Sequence, residues 1–377
     1  MKKSTRNGKR TILLILHMPP PVHGAAMVGK YIHDSKLINS EFDCSYINLA
    51  MASELEDIGK MEAKKIWRFL VLLLKIWKEV KLCRPDLVYI TPNAKGGAFF
   101  KEYIIVQMLK ALRCKVVAHY HNKGVSTKQD QWLYNLLYKR FFKGLKVILL
   151  GKSLYQDVEK YVKREDVYIL PNGIPVEVRG KNIEVRGEDL VPRLLFISNL
   201  IESKGVIILL DGLKILQDKG YSFVCDFVGG ETSEIDAKRF EDEVERRELT
   251  DVAVYKGKKY GEEKASTYAN ADVLVFPTYS DCFPLVLIEA MSQGLPCITT
   301  NEGAISDIVE DGVNGLIAER NDAQSLAEKT ELMLRNSEMR RKMGQAGFEK
   351  FQREFTLEIF ENRMCEILNQ CSNAEAK

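Results

Sequence analysis

Two carboxylates, Asp281 and Glu289, lie eight residues apart in the stretch SDCFPLVLIEAMSQGLP at residues 280–296. The apolar run before it, ADVLVFPT, has the length and β-branched composition of a buried strand. Pro284 suits the first turn of a helix, so the segment is predicted to be one strand–helix–strand unit of a parallel sheet. Glu289 then lies on a largely buried helix, where a charged side chain costs several kcal/mol unless it has a partner.

Two kinds of partner would satisfy Glu289. A basic residue or a backbone amide of the fold would make it a structural carboxylate. A ligand diol would make it a binding residue, because a carboxylate accepts two hydroxyl hydrogen bonds side by side. The loop at 281–284 also precedes a helix N-terminus, where free N–H groups and the helix dipole favour a phosphate. A diol and a phosphate together suggest a sugar nucleotide.

Two other loops join a predicted strand to a predicted helix. SNLIESKG, residues 198–205, places Lys204 at a helix start, where it either points into solvent or neutralises a phosphate leaving group. PPPVHGAAM, residues 19–27, has small residues from Gly24 onward that leave room for a ligand against the backbone. A plain tight turn explains this second loop almost equally well.

His119 and His121 end a predicted strand in HYHN, and the two-residue period points both side chains to one side. A metal site is one interpretation. No carboxylate or cysteine nearby completes a ligand set, and no strand-end Asp-x-Asp is present. We therefore predict no metal and favour histidines of the core or of a ligand cleft.

The composition is that of a globular protein of 377 residues, long enough for two domains. Residues 1–170 contain 30 Lys and Arg against 15 Asp and Glu, whereas residues 171–377 contain 25 against 37. Eight scattered cysteines without C-x-x-C spacing predict a reduced, cytoplasmic protein. The start of the chain imitates a signal peptide, but its apolar run is short and lacks a cleavage site, and no transmembrane helix is expected.

Strand-like and helix-like blocks alternate twice along the chain. Such alternation predicts an α/β protein with two doubly wound, Rossmann-like parallel-sheet domains that face a cleft at the carboxyl ends of their strands. The predicted boundaries are an N-terminal domain at 1–172, a linker at 173–192 and a nucleotide-sugar-binding domain at 193–355. Residues 356–377 are predicted to form a last helix that packs back on the N-terminal domain.

Residues 194–318 as a whole resemble the retaining glycosyltransferases of the GT-B fold, the glycosyl transferases group 1 (family 4) set. The resemblance rests on SNLIESKG, on the two acids eight apart followed by A-M-x-x-G-x-P, and on DGVNGL. PNGI at 171–174 resembles the end of the interdomain strand in that family. PPPVHG resembles members that build bacterial surface polysaccharides. The resemblance also implies that the N-terminal domain, 1–172, is the acceptor side.

The resemblance implies specific roles around the two acids. Glu289 would bind the ribose of the donor, and Asp281 would contact the donor sugar. The backbone N–H groups of Phe283, Leu285 and Val286 would hold the sugar or the phosphate.

In the other loops, the resemblance makes Lys204 the cation that neutralises the diphosphate. Gly24 would lie under the phosphates, and His121 near the reacting sugar.

The sequence departs from the family pattern in three places. Asn199 is predicted to bind the substrate, but it occupies the position of a usual arginine, so one cation on the leaving group is missing. Asp281 stands where a glutamate is usual and is one methylene shorter. Ala304 replaces one glycine of a usual pair, with Asp307 where a glutamate is common. These changes indicate a subfamily with adjusted donor contacts or a weakened enzyme.

The implied function is a metal-independent, hexosyltransferase-like enzyme that transfers a sugar with retention from a UDP- or GDP-linked donor to a hydroxyl. No cofactor is expected, and the acceptor would be a glycan or a lipid-linked sugar in capsule, exopolysaccharide or lipopolysaccharide biosynthesis. Another GT-B enzyme, such as a sugar-nucleotide epimerase, and a non-catalytic nucleotide-sugar-binding subunit remain alternatives.

Two segments of the basic half combine Lys and Arg with aromatic and aliphatic residues: KKIWRFLVLLLKIWKEVK at 64–81 and KQDQWLYNLLYKRFFKGLK at 128–146. This composition is typical of helices that rest on anionic lipid, here at the inner face of the plasma membrane. Ordinary helices that bury one stripe against their own sheet would look similar. No nucleic-acid-binding motif is present, and no nucleic acid is expected.

Overall fold

Short runs rich in Leu, Ile and Val form the strands, beginning with TILLIL, whose residues after the first are fully buried. The computed structural model describes residues 8–20, 23–49, 61–176 and 191–373. The chain divides into two compact units. Unit 1 contains Met1–Gly173 and Leu357–Lys377, and unit 2 contains Ile174–Thr356. Most of the predicted linker, 177–190, lies outside the described residues.

Unit 1 contains a six-stranded sheet whose strands pair in parallel in the order β2-β1-β3-β4-β5-β6. The strands are β1 (Thr11–Leu16), β2 (Asp43–Asn48), β3 (Leu87–Ile90), β4 (Val116–Tyr120), β5 (Lys146–Leu149) and β6 (Val167–Ile169). The helices are α1 (Gly24–Asp34), α2 (Lys36–Glu41), α3 (Met61–Cys83), α4 (Gly96–Ala111), α5 (Trp132–Phe142) and α6 (Tyr155–Val158).

Unit 2 contains a second six-stranded parallel sheet, in the order β12-β11-β10-β7-β8-β9. Its strands are β7 (Arg193–Ile197), β8 (Val224–Val228), β9 (Ala253–Tyr255), β10 (Val273–Phe276), β11 (Cys297–Thr300) and β12 (Gly315–Ala318). Its helices are α7 (Val206–Asp218), α8 (Ala237–Arg246), α9 (Gly261–Ala269), α10 (Leu285–Ser292), α11 (Ile305–Ile308), α12 (Ala323–Arg335) and α13 (Ser337–Glu354).

The last helix, α14 (Leu357–Asn373), belongs to unit 1 although it follows unit 2 in the chain. Phe360, Met364 and Leu368, at helical spacing, are buried with β1 and α1 residues such as Leu14 and Val28. Arg10 ties the helix down by donating to the side-chain oxygen of Asn369 at 2.6 Å. The core of unit 1 is therefore completed from the far end of the sequence.

The strand orders fix where each unit can bind a ligand. In open α/β sheets, ligands bind at the carboxyl ends of strands where the strand order reverses. The reversal lies between β1 and β3 in unit 1 and between β7 and β10 in unit 2. The loops that follow β1, β7 and β10 are those in which the sequence places Gly24, Lys204 and Asp281. The predicted α/β class with two doubly wound parallel sheets is confirmed, and no described helix is both long and apolar enough to cross a membrane.

Candidate functional site

The loops after β7 and β10 contact each other through a glycine of the first loop and through hydrogen bonds to one carbonyl. Gly205 has a φ of 89°, and a Cβ there would collide with the Pro277 carbonyl. The Ser203 carbonyl accepts hydrogen bonds from Thr278 Oγ1 and from the Tyr279 N–H, both at 3.0 Å. Lys204 is therefore held next to the start of the acidic loop.

Lys204 and Asp281, two of the predicted catalytic residues, form an ion pair. Lys204 Nζ lies 2.6 Å from Asp281 Oδ2 and also donates to the Ser280 carbonyl at 3.0 Å. The other carboxylate oxygen, Asp281 Oδ1, accepts the Cys282 N–H at 2.8 Å. Both side chains are about one-fifth exposed, so the pair remains open to a ligand.

The acidic loop packs against residues 302–304. Gly303 has a φ of 57°, and a Cβ there would lie 2.5 Å from the Asp281 carbonyl oxygen. Ala304 is fully buried, has a φ of −100° and donates its N–H to the Cys282 carbonyl at 2.8 Å. Its backbone lies outside the left-handed region, so alanine fits at this departure from the family pattern without strain.

The N-terminus of α10 follows the acidic loop. Pro284 caps the helix in an extended conformation, and Leu285 and Val286 begin it. The first N–H groups of a helix have no intrahelical acceptor and bind anions readily. Phe283 is buried with its ring 6.0 Å from that of Phe355, which fixes the backbone just before the helix.

Glu289, on α10, has two partners within the fold. Its Oε1 lies 2.7 Å from Lys264 Nζ, and its Oε2 accepts from the Tyr268 hydroxyl at 2.6 Å. Sequence analysis missed both partners, although residues four apart lie on one face of a helix. Because a carboxylate has about four acceptor sites, it can still receive a diol, and its role as ribose ligand stays a prediction.

Asn199 links the loops after β7 and β8. Its Oδ1 accepts the Gly230 N–H at 3.2 Å, and a Cβ at Gly229 would collide with the Ser198 carbonyl. The Asn199 side chain thus connects the two loops by accepting a hydrogen bond on its amide oxygen. An arginine at this position could not do so, because a guanidinium has no acceptor.

A cavity of about 590 Å³ lies beside α9 but contains none of the predicted site residues. Its lining is strongly charged, and Arg193 Nη1 lies 2.7 Å from the buried Asp226. Glu262 and Ser266 of α9, and Asn270 directly after that helix, also line it.

In unit 1, Gly24 is the first residue of α1. His23 caps that helix by accepting the Ala26 N–H on Nδ1 at 3.3 Å. Gly29 lets the helix approach the end of β1 so closely that a Cβ would collide with the His17 carbonyl. The small residue at 29 therefore lets α1 pack closely against the end of β1, and binding of Gly24 under the phosphates stays a prediction.

His119 and His121 lie together as the two-residue period predicts, with ring centroids 4.1 Å apart. His119 Nδ1 is 2.7 Å from the Tyr89 hydroxyl, a partner that sequence analysis missed. Neither ring nitrogen of His121 has a hydrogen-bond partner within the described part of unit 1. Burial, followed by the charges of His17 and His23, lowers the pKa of His121 to about 3. His121 is therefore a neutral imidazole with both nitrogens available.

Burial and then repulsion from His121 hold the pKa of His119 well below its usual value. Among the residues that the structure describes, no group of three or more His, Cys, Asp or Glu side chains is arranged to hold a metal ion.

Residues 178–350 match the family described as Glycosyl transferases group 1. An uncharacterized glycosyltransferase of Methanocaldococcus jannaschii is 33% identical over 202 residues, which cover 53% of this chain and 55% of that protein. The capsular polysaccharide biosynthesis glycosyltransferase CapM of Staphylococcus aureus is 29% identical over 164 residues, 44% of this chain and 42% of CapM. The chain thus spans about half the length of the curated relatives it matches.

Solved structures match over nearly the whole chain. Sucrose-phosphate synthase from Thermosynechococcus elongatus aligns with a TM-score of 0.76 at 19% identity, over 96% of this chain and 99% of its own. Anabaena HepE in complex with UDP aligns with a TM-score of 0.73 at 16% identity, over 96% and 100%. These similarities confirm the predicted architecture. The chain therefore has the two-domain GT-B fold, and residues 178–350 within it match the Glycosyl transferases group 1 family.

Proposed function

We propose that the protein is a glycosyltransferase that moves a sugar from a UDP- or GDP-linked donor to a hydroxyl, with retention and without a metal or cofactor. The observation that carries the proposal is the Lys204–Asp281 pair at the strand reversal of unit 2, directly before the α10 N-terminus. Further support comes from HepE, a structural neighbour solved with UDP and with UDP-glucose.

Lys204 and the α10 N-terminus would stabilise the departing diphosphate, because charge develops on it as the glycosidic bond breaks. A diphosphate competes with Asp281 for Lys204, which frees the Asp281 carboxylate to accept a donor-sugar hydroxyl. Glu289 would hold the ribose with its remaining acceptor sites. The neutral His121 would offer a ring nitrogen to the sugar.

The acceptor is proposed to be a glycan or a lipid-linked sugar in bacterial capsule, exopolysaccharide or lipopolysaccharide biosynthesis. Relatives named for capsular polysaccharide, colanic acid and amylovoran biosynthesis support this assignment. Such an enzyme would work in the cytoplasm, in peripheral contact with the anionic inner face of the plasma membrane.

The test compares donor binding with turnover. A panel of UDP- and GDP-sugars is screened by thermal shift, since a ligand of the folded state raises the melting temperature. The donor that binds is incubated with candidate acceptors, and release of nucleoside diphosphate and the product anomer are measured. We expect release that survives excess chelator and falls about 10²-fold in Lys204→Met, but not in the exposed control Lys238→Met.

Other outcomes would contradict the proposal. Donor binding without release across the acceptor panel indicates a nucleotide-sugar-binding subunit. Conversion of the nucleotide sugar in the absence of acceptor indicates an epimerase. Activity that chelator abolishes and Mg²⁺ or Mn²⁺ restores rules out the metal-free mechanism.

A further inference from the structure

Helix α3 has two apolar faces. One packs against unit 1, and the other is exposed. Leu72, Ile76 and Val80, four residues apart, are buried. Away from that buried stripe, seven large apolar side chains are exposed, Trp67 by 65% and Leu74 by 56%; they are Ile66, Trp67, Leu70, Val71, Leu74, Trp77 and Leu82. An ordinary surface helix would carry polar residues there.

The exposed face of α3 is bordered by cations. Residues 61–83 contain six Lys or Arg and two Glu. Lys78 and Lys81 follow Leu74 by four and seven residues, so they lie on the same side of the helix, and both are exposed. The face therefore combines a wide apolar stripe, two tryptophans and a positive charge.

We infer that this exposed face of α3 docks on an anionic lipid bilayer with the helix lying in the plane of the interface. The inference rests on the proposed function and names the surface that makes its membrane contact. The other face of α3 packs on unit 1, so lipid can cover the helix from one side only. Apolar residues would enter the acyl boundary, tryptophans would lie at headgroup depth, and lysines would reach the anionic headgroups.

The charge of α3 favours a bilayer over a second copy of the chain. Two copies of this face brought together would bring Lys78 and Lys81 of one chain near the same lysines of the other, without an opposite charge to neutralise them. Anionic headgroups instead neutralise them, and each basic residue near such a surface adds to binding.

The second basic segment, in α5, does not share this arrangement. Tyr138, Phe141 and Phe142 of α5 are buried, so its main apolar stripe is used inside unit 1. Trp132 and Leu133 at its start are exposed. Of the two interpretations of this segment, the structure favours an ordinary helix that buries its apolar stripe within unit 1.

The first experiment is cosedimentation of the full chain with vesicles of phosphatidylglycerol and phosphatidylcholine, or of phosphatidylcholine alone. The wild-type protein should sediment with the anionic vesicles at low salt, be released as salt rises, and ignore the neutral ones. The double variant Leu70→Glu/Leu74→Glu should lose at least tenfold in binding. Leu332→Glu, an equally exposed leucine of unit 2, is the matched control and should bind like wild type.

The second experiment uses the three tryptophans, Trp67, Trp77 and Trp132, as depth reporters. With brominated lipid in the anionic vesicles, the tryptophan fluorescence of Trp132→Phe, which keeps the two α3 tryptophans, should be quenched. Trp67→Phe/Trp77→Phe, which keeps only Trp132, should be quenched much less. Quenching of Trp132 alone would overturn the assignment to α3 while leaving membrane contact in place.

Two further results would overturn the inference. One is vesicle binding by Leu70→Glu/Leu74→Glu equal to that of wild type. The other is no vesicle binding together with self-association that this variant abolishes, which would make the face an interface between two copies. Because the residues changed are exposed in unit 1, the donor-induced thermal shift should persist in the variant. If the wild-type protein binds vesicles but shows no thermal shift with any nucleotide sugar, the proposed function fails and the lipid-binding surface stands.

Discussion

At the scale of single residues, the candidate site of unit 2 is held in position by its own ion pairs. Lys204 pairs with Asp281, and Lys264 and Tyr268 hold Glu289. Each charged group is thus satisfied before any ligand arrives, which lowers the free-energy cost of keeping it partly buried. A donor must compete with these partners or use the acceptor sites they leave open.

Glu289 therefore has two separable roles, one in stability and one in binding. Glu289→Ala should lower the free energy of unfolding by about 1–3 kcal/mol, because it leaves Lys264 and Tyr268 without their acceptor. Glu289→Gln keeps one acceptor oxygen and should unfold closer to wild type, yet bind donor at least tenfold more weakly because the charge-assisted bonds to the ribose are lost. Urea unfolding and donor titration measure the two effects. Donor affinity unchanged in Glu289→Gln would leave Glu289 a structural carboxylate.

His17 gives unit 1 a pH-dependent stability. Burial, then the charges of His23 and Lys101, lowers the pKa of His17 to about 4, against about 6.5 in an unfolded chain. Between these values the unfolded chain binds a proton that the folded chain does not. Stability should therefore fall as the pH drops from 6.5 towards 4, by up to about 1.4 kcal/mol per pH unit for this one group.

The measurement is urea unfolding followed by tryptophan fluorescence, which reports on unit 1 because all three tryptophans lie there. The difference in unfolding free energy between wild type and His17→Gln should change across this pH window. A difference that stays constant across this window would contradict the burial of a neutral His17.

At the scale of elements, local patterns in the sequence predict most of what the structure contains. The strand–helix–strand unit predicted around Glu289 is β10, α10 and β11, and the helix predicted within residues 356–377 is α14. Glu289 on α10 was identified because a charge within an apolar helix needs a partner. Lys264 and Tyr268 were not identified as its partners, because the contact between α9 and α10 is a tertiary contact that no local pattern encodes. The exposed apolar face of α3 likewise required the structure to show which stripe the sheet covers.

The turn at Gly303 shapes the acidic loop through both its backbone and its lack of a side chain. Gly303→Ala should destabilise the protein by about 1–3 kcal/mol, since it adds a Cβ 2.5 Å from the Asp281 carbonyl oxygen at a φ of 57°. The donor-induced thermal shift should shrink as the loop moves. Ala304→Gly, at the neighbouring position, should change donor binding little. A Gly303→Ala protein with wild-type stability and donor binding would show that the loop tolerates the displacement.

At the scale of the whole molecule, the chain leaves unit 1 after Gly173 and returns to it at Leu357. Unit 1 is also the basic half of the sequence and carries the exposed face of α3, whereas the acidic half contains most of unit 2. Alternating strand and helix patterns were sufficient to predict two doubly wound sheets. The predicted lipid contact lies in unit 1, whereas every predicted donor contact except Gly24 and His121 lies in unit 2. Variants on the exposed face of α3 therefore test the lipid contact without changing a predicted donor contact.

The return of the chain makes the stability of unit 1 depend on α14. Phe360 and Met364 are almost fully buried in a core shared with β1 and α1. Phe360→Ala or Met364→Ala should each destabilise unit 1 by about 2–5 kcal/mol, because the cavity left behind cannot collapse fully. Tryptophan fluorescence during urea unfolding should show a transition at lower urea concentration, whereas the exposed control Glu358→Ala should unfold like wild type.

Donor binding at low urea should survive in all three variants, since every predicted donor contact except Gly24 and His121 lies in unit 2. An unchanged tryptophan transition in Phe360→Ala would mean that unit 1 holds its core without the last helix.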